Sequence, residues 1–317
     1  MTKAVSPPLP SRTSIWAAGA RALGARQADP QLRNPDVLAD RLIGPEELAL
    51  LGEHPLRAAL EQRTPEAAEH PEARSAMATL TVRTKFIDER LTAAIHAGAA
   101  QLVILGAGWD TRAHRLADLL RGVRIFEIDQ PVTQNWKRRR AEQVLGPPPA
   151  NLTYLNTDFR AQTLGEVLAA TAYNPAQPTF FLWEGVTMYL PEEVVRATLR
   201  WIAQQAPGSR VVFDFAYRSV IEWLGRARDY AGPLPEAAKL GMDRLRQIAA
   251  WGEPWIFGVP DHGEREFVAA LGLEHRKTLA MASPEAARRY LGWDESRPLP
   301  GAIRQMYAIL EAAVPSA

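Results

Sequence analysis

Apolar and polar positions change their rhythm once along this chain, at residue 101. Before it, apolar residues recur at helical spacing. Ile15, Ala18, Ala22 and Leu23 form the first such stretch, with Ser11 or Thr13 available as N-cap. Val37–Leu51 carries a second, which Pro45 interrupts or restarts; a third begins at His54-Pro55, and a long fourth fills Pro71 to His96. No strand pattern precedes Gln101, so the first hundred residues predict a helical cap whose apolar positions are mostly core. From Gln101 on, short apolar runs alternate with helical stretches. Gln101–Leu105, Val123–Ile128, Leu152–Asn156, Pro178–Trp183, Arg210–Phe215 and Leu273–Ala280 read as strands. A seventh is assigned to Arg304–Ala312, where a helix would also fit. The segment Pro131–Leu145 reads as a helix, and so does Glu264–Leu271. This alternation predicts an α/β fold with a mostly parallel sheet and helices on both faces. The expected organisation is a cap over 1–98 integrated with a sheet domain over 99–317. A helical insertion lies around 217–252, broken by Gly232-Pro233-Leu234-Pro235.

Composition narrows the function classes. Of 317 residues, 47% are hydrophobic and 23% charged, a globular balance that argues against global disorder. Lysine and arginine number 37 against 36 acids, so the overall field favours no polyanionic partner. With no cysteine there is no disulfide, thiolate metal site or cysteine nucleophile. The six histidines are scattered without a close ligand pair, and no metal is expected. Residues 1–10 hold three prolines and are expected to be a mobile tail. The N-terminus lacks an apolar leader pattern, and no run approaches the ~18 apolar residues of a membrane span, so a soluble, cytoplasmic protein is expected. Lys137-Arg138-Arg139-Arg140 lie within one helical turn and face different directions, which speaks against a nucleic-acid surface.

The candidate chemistry starts where the rhythm changes. The strand Gln101–Leu105 runs into Gly106-Ala107-Gly108, and a helical pattern (Leu116, Leu119, Leu120) follows. Strand, glycine turn and helix make the first half of a nucleotide-binding βαβ unit, the glycines letting backbone approach a ligand that a Cβ would push away. A third glycine would complete the dinucleotide fingerprint, and Thr111 stands there instead. The second strand ends at Asp129, about twenty residues on, where a carboxylate can accept both hydroxyl hydrogen bonds of a ribose. Nucleoside binding follows from the pair.

GAGWDTRAHRL, FEIDQP followed by KRRR, and WEGVTMYLP resemble the bacterial S-adenosylmethionine-dependent O-methyltransferases related to leucine carboxyl methyltransferase, a family that includes polyketide-tailoring enzymes of secondary metabolism. The resemblance runs from about Ser11 to the C-terminus. It is most specific between Arg83 and Pro191, with Asp110-Thr111-Arg112 its most distinctive element. It implies a Rossmann-like class I methyltransferase fold, seven strands with the last antiparallel, and S-adenosyl-L-methionine as cofactor with no metal.

It also implies roles by position. Arg83, in VRTKFID, grips the carboxylate of the cofactor's methionine portion, as a guanidinium does with two parallel hydrogen bonds. Gly106, Ala107, Gly108, Asp129 and Gln130 surround the cofactor. Asp158 accepts from the adenine amino group, which an ionised carboxylate suits, and Phe159 packs on the ring; capping of the following helix is an equally good use of Asp158. Glu184 and Gly185, past the end of the fourth strand, belong to the site by the topological rule. Tyr189, Tyr217 and Trp255 are candidates for the acceptor side. The expected reaction moves a methyl group to a carboxylate or hydroxyl of a small molecule. A carboxylate acceptor would need no general base and a hydroxyl would gain from one, and no base is assigned. A non-catalytic cofactor-binding regulator and an NAD(P)-dependent dehydrogenase are the alternatives; the missing third glycine and Asp158 count against the second.

Overall fold

Among the described residues, five helices precede the first strand: α1 (Arg12–Ala25), α2 (Ala39–Leu42), α3 (Pro45–Ala49), α4 (Pro55–Gln62) and α5 (Pro71–His96). The computed structural model describes residues 9–62, 70–227, 243, 245–294, 296 and 307–316. Ser11 caps α1, its hydroxyl accepting from Ser14 N at 3.1 Å. Small residues along α1 (Ala18, Gly19, Ala22) are buried, so it packs closely on α5, and the two share a core with Leu42, Leu56, Leu60 and Trp109.

The remaining chain builds a seven-stranded sheet from β1 (Gln101–Leu105), β2 (Arg124–Asp129), β3 (Leu152–Asn156), β4 (Thr179–Trp183), β5 (Arg210–Ala216), β6 (Glu274–Ala280) and β7 (Tyr307–Ala313). The order is β3-β2-β1-β4-β5-β7-β6, parallel except that β7 runs antiparallel to both β5 and β6. The chain leaves β1 toward β2 on one side and returns to β4 on the other. The crevice beyond the carboxyl ends of β1 and β4 is therefore the place for a ligand. Both strands are buried throughout, which is why they read as unbroken apolar runs. Their alternate residues feed two cores. Leu102, Ile104, Phe180 and Leu182 face α5 residues such as Phe86 and Ile87, while Val103, Leu105, Phe181 and Trp183 face the opposite layer. Each such side chain contributes about 1.5–3 kcal/mol on burial.

Several expectations shift. The second strand begins at Arg124 and includes Asp129, placing that carboxylate at the strand's end rather than one residue past it. After the glycine turn the helix is a single turn, α6 (Arg112–Arg115), and Leu116–Arg121 form hydrogen-bonded turns instead. The side chains of Thr111, Arg112 and Arg115 are drawn to Asp36 and Asp88 of the cap, which holds this stretch as an anchor. The described part of the last strand starts at Tyr307; residues 304–306 and Gly232-Pro233-Leu234-Pro235 lie outside the described residues, as do the first eight. In α7 (Pro131–Leu145) the four basic residues do separate things. Lys137 is buried against Glu127, Arg138 lies over the Tyr154 ring and Arg139 over Trp136, and Arg140 donates to Leu42 O at 3.1 Å. No described helix is long and apolar enough to cross a membrane.

Candidate functional site

A cavity of about 680 Å³ opens at the carboxyl ends of β1, β2 and β4, under α1 and α5. That size lies in the range of small-molecule sites. One wall is the glycine turn. Gly106 and Gly108 adopt φ of +66° and +48°, and a Cβ on Gly106 would overlap Val186, so the chain needs glycine there for conformation and space. Gly108 N donates to Asp129 Oδ2 at 2.5 Å and Gln130 N to Oδ1 at 2.6 Å. Each carboxylate oxygen keeps a second lone pair, and Asp129 lines the cavity beside Gln130. Burial pushes the Asp129 carboxyl up to about 6, against the lowering pull of those two N–H groups.

The opposite end is an ion network. Glu184 sits just past β4, its Oε2 accepting from Arg112 Nη1 at 2.8 Å and its Oε1 lying 2.7 Å from Arg83 Nε. Burial alone would raise this carboxyl, but Arg83 and Arg112 overcome that and hold it at about 2. Arg83 Nη1 donates to Asp214 at 3.0 Å and to the Tyr307 hydroxyl at 2.9 Å, and the Tyr307 hydroxyl donates to Asp214 in turn. Gly185 N donates to Asp214 Oδ1 at 2.6 Å. Arg112 also meets Asp110 and Asp88, Arg115 holds Asp88 with two bonds of 2.7 and 2.8 Å, and Arg21 pairs with Asp36 at 2.8 Å. Four arginines (21, 83, 112, 115) thus face five carboxylates (36, 88, 110, 184, 214), one negative charge in excess. The network joins the cap to the sheet through side chains that are nearly all buried.

Most expected positions come together. Arg83, Gly106, Ala107, Gly108, Asp129, Gln130, Asp158, Phe159, Glu184, Gly185, Tyr189 and Trp255 line this one cavity. Three readings change. Arg83 reaches the cavity, but both edges of its guanidinium fork already hold carboxylates or Tyr307. Its Nη1 is held by Asp214 and Tyr307, while Nε and Glu184 Oε1, 2.7 Å apart, meet as an ion pair outside hydrogen-bond geometry. Asp158 does not cap the following helix, α8 (Leu164–Ala169); Thr163 does, in a capping box with Glu166. Asp158 is exposed and closes only a turn, accepting from Arg160 N at 2.9 Å. Tyr217 is not part of the cavity lining. It packs edge-on against Phe215 at 5.5 Å and bridges to Val259, because β5 continues in that direction.

Sequence reasoning missed Asp214, Tyr307, Asp36, Asp88 and Glu253. Asp214 carried a signal, a carboxylate inside the apolar run RVVFDF. The others had none, since their partners lie far away in sequence. Glu253 accepts from Arg12 N at 3.0 Å and Ser11 Oγ at 3.1 Å, and also from Thr13 Oγ1, at the start of α1.

A doubly wound sheet with one antiparallel strand next to its edge, a glycine turn after β1 and an acid at the end of β2 define a nucleoside-cofactor-binding protein of the Rossmann-like class I methyltransferase type. Over the whole chain the fold is similar to a DUF574 family protein from Streptomyces avermitilis (TM-score 0.54, 14% identity, 95% and 97% of the two chains). It is equally similar to a provisionally named methyltransferase from Thermobifida fusca (TM-score 0.53, 16% identity, 99% and 100%). Residues 14–203 match the leucine carboxyl methyltransferase family. Two Mycobacteroides abscessus proteins, provisionally named S-adenosyl-L-methionine-dependent methyltransferases, are 32% identical over 240 residues (75% of this chain, 72% of the relative) and 30% identical over 272 residues (83% and 84%). The chain belongs to the leucine carboxyl methyltransferase family, as an S-adenosylmethionine-dependent methyltransferase of its bacterial branch.

Proposed function

We propose that this protein transfers a methyl group from S-adenosylmethionine to an oxygen of a small molecule, and that the acceptor oxygen is a carboxylate. The residues present suit the cofactor. Gly106–Gly108 and Asp129 would hold the ribose, Asp158 and Phe159 the adenine, and Glu184 with Arg83 the methionine end. The excess negative charge of the ion network favours a ligand that is a net cation, as the sulfonium makes this one. The cofactor supplies an activated methyl group, so the protein's task is to align donor and acceptor and exclude water.

One observation carries the choice of acceptor oxygen. Among the described residues the cavity lining contains no histidine and no lysine. Four of its five carboxylates are committed within the protein, Asp110 to Arg112, Glu184 to two arginines, Glu253 to α1 and Asp129 to two backbone N–H groups, and the fifth, Asp158, is the one assigned above to the adenine. A hydroxyl would need one of them to take its proton, whereas a carboxylate arrives ionised. The test is transfer of labelled methyl across a panel of acids and alcohols, followed by mild alkali. A methyl ester releases its label as methanol; a product whose label survives alkali refutes the carboxylate acceptor, and binding of cofactor without transfer to any acid or alcohol refutes the enzyme.

A further inference from the structure

The cofactor residues leave part of the cavity unassigned. Part of its remaining wall, besides α1 and α5, is the segment from Ile248 to Ile256, a strap of which Ile248 and Trp251–Ile256 line the cavity. The strap is fastened at two points. Glu253 binds the first turn of α1 through Ser11, Arg12 and Thr13. Three residues on, Ile256 N and Phe257 N donate to Met188 O at 2.8 and 3.2 Å, just after β4. Between these anchors Trp255 lies stacked on Tyr307, ring centroids 6.0 Å apart and planes at 20°. The Tyr307 hydroxyl touches Arg83 and Asp214. The aromatic surface of the strap therefore begins where the network around Glu184 ends.

Apart from Gly252 and Glu253, whose carboxylate is taken up by the start of α1, the lining residues of the strap are apolar or aromatic: Ile248, Trp251, Pro254, Trp255 and Ile256. Among the described residues the exposed large hydrophobics are Leu9, Val37 and Ile256, and two of these three, each 49% exposed, sit on this one mouth. Such clustering marks a ligand surface rather than scatter. The arginines lining the cavity are Arg12, Arg21, Arg83 and Arg160, and two of them are consumed by carboxylates, so a phosphorylated body meets no cationic cluster. A sugar would need many hydrogen-bonding groups. On this wall and the facing turn of α5, Trp255 Nε1 and Thr79 Oγ1 are the buried polar atoms without a protein partner.

We propose that residues 248–256 form the acceptor-specificity wall, and that the acceptor is a planar, apolar, aromatic-type acid lying along Trp251 and Trp255 and leaving the cavity between Leu9 and Ile256. This deepens the methyl-transfer reading and rests on it. Trp255 and Ile256 set the preference by apolar contact, and Trp255 Nε1 and Thr79 Oγ1 are the donors open to the acid's oxygens.

The test is calorimetry on the full chain, first with S-adenosylhomocysteine, then with 2-naphthoate or D-galacturonate added to that complex. The complex should bind 2-naphthoate at least about tenfold more tightly than galacturonate. Trp255→Ala and the surface substitution Ile256→Asp should each reduce that preference, Trp255→Ala by roughly tenfold for the ring area it removes. Ile256 is half in solvent, so its variant should fold and tests the wall even if Trp255→Ala does not. Galacturonate binding as well as naphthoate, no binding of naphthoate, or a preference that survives Ile256→Asp and Trp255→Ala would overturn the assignment while leaving the cofactor reading intact. Absence of any heat with S-adenosylhomocysteine would instead overturn the methyl-transfer reading and this proposal with it.

Discussion

Replacing Asp129 by asparagine tests the ribose assignment sharply, because the geometry makes an isosteric change costly. Oδ2 takes the Gly108 N–H at 2.5 Å and Oδ1 takes the Gln130 N–H at 2.6 Å. Whichever way it flips, an amide must turn its NH₂ toward one of these donors. One backbone N–H then faces another donor, and one of the two acceptor sites for a ribose hydroxyl disappears. A hydrogen bond to a charged group contributes ~1.5–3 kcal/mol, so losing one corresponds to a roughly 10- to 150-fold fall in cofactor affinity. Asp129→Ala loses both sites and should fall further. The pH dependence has two opposite signs. Binding needs the ionised carboxylate, and burial has pushed this group up to about 6. Wild-type affinity should be level above pH 6 and decline below it, by at most about tenfold per pH unit, and the asparagine variant should lack this decline. Stability of the unliganded fold moves the other way. The folded carboxyl is raised above its ordinary 3.8, so the native state takes up the proton first, and this group's contribution improves as pH falls from about 6 toward 3.8. Calorimetric titration with S-adenosylhomocysteine at pH 7.5 and 5.5, with melting curves of the free protein alongside, reads both. An asparagine variant that binds within threefold of wild type at pH 7.5 would remove Asp129 from the ribose site.

Four further outcomes follow from the same geometry. Asp158→Ala should weaken cofactor binding at least about tenfold yet leave Tm nearly unchanged, because the residue is exposed and closes only a turn. Thr163→Ala, which removes the real helix cap, should cost about 1 kcal/mol of stability in urea unfolding and leave affinity alone; the reverse pattern would return Asp158 to a structural role. Arg83→Met strips a cation from buried Glu184 and Asp214 and should cost about 3–5 kcal/mol of stability. If enough folds to titrate, it should scarcely distinguish S-adenosylhomocysteine from its analogue lacking the carboxylate, and discrimination equal to wild type would assign the carboxylate to another cation. Gly106→Ala forces a Cβ onto a +66° backbone and against Val186, and should lower both stability, by about 1 kcal/mol or more, and affinity; Val186→Ala in the same chain should restore part of the stability.

Local pattern alone settled much of this protein. The bounds of α5, β1, α7 and β3 are legible from periodicity and from Pro71, Pro131, Gly106 and Gly146, because an element that buries one face or both must repeat apolar residues at its own period. The glycine turn and Asp129 are legible for the same reason: both belong to consecutive elements of one βαβ unit, so their meeting is decided locally. The antiparallel direction of β7 came from family resemblance, since the pattern of an isolated strand carries no direction. What the sequence could not hold was the closure of the site. Asp36, Asp88, Asp214, Glu253 and Tyr307 lie on elements scattered from the cap to the last strand, and only packing of the cap on the sheet makes them neighbours. The fork of Arg83, which the resemblance assigns to the cofactor's carboxylate, also faces Glu184 and Asp214, two carboxylates that packing delivers. Period and turn chemistry are properties of adjacent residues and are written along the chain; which charges cancel inside the cavity is a property of the assembled fold, and only the tertiary structure decided it.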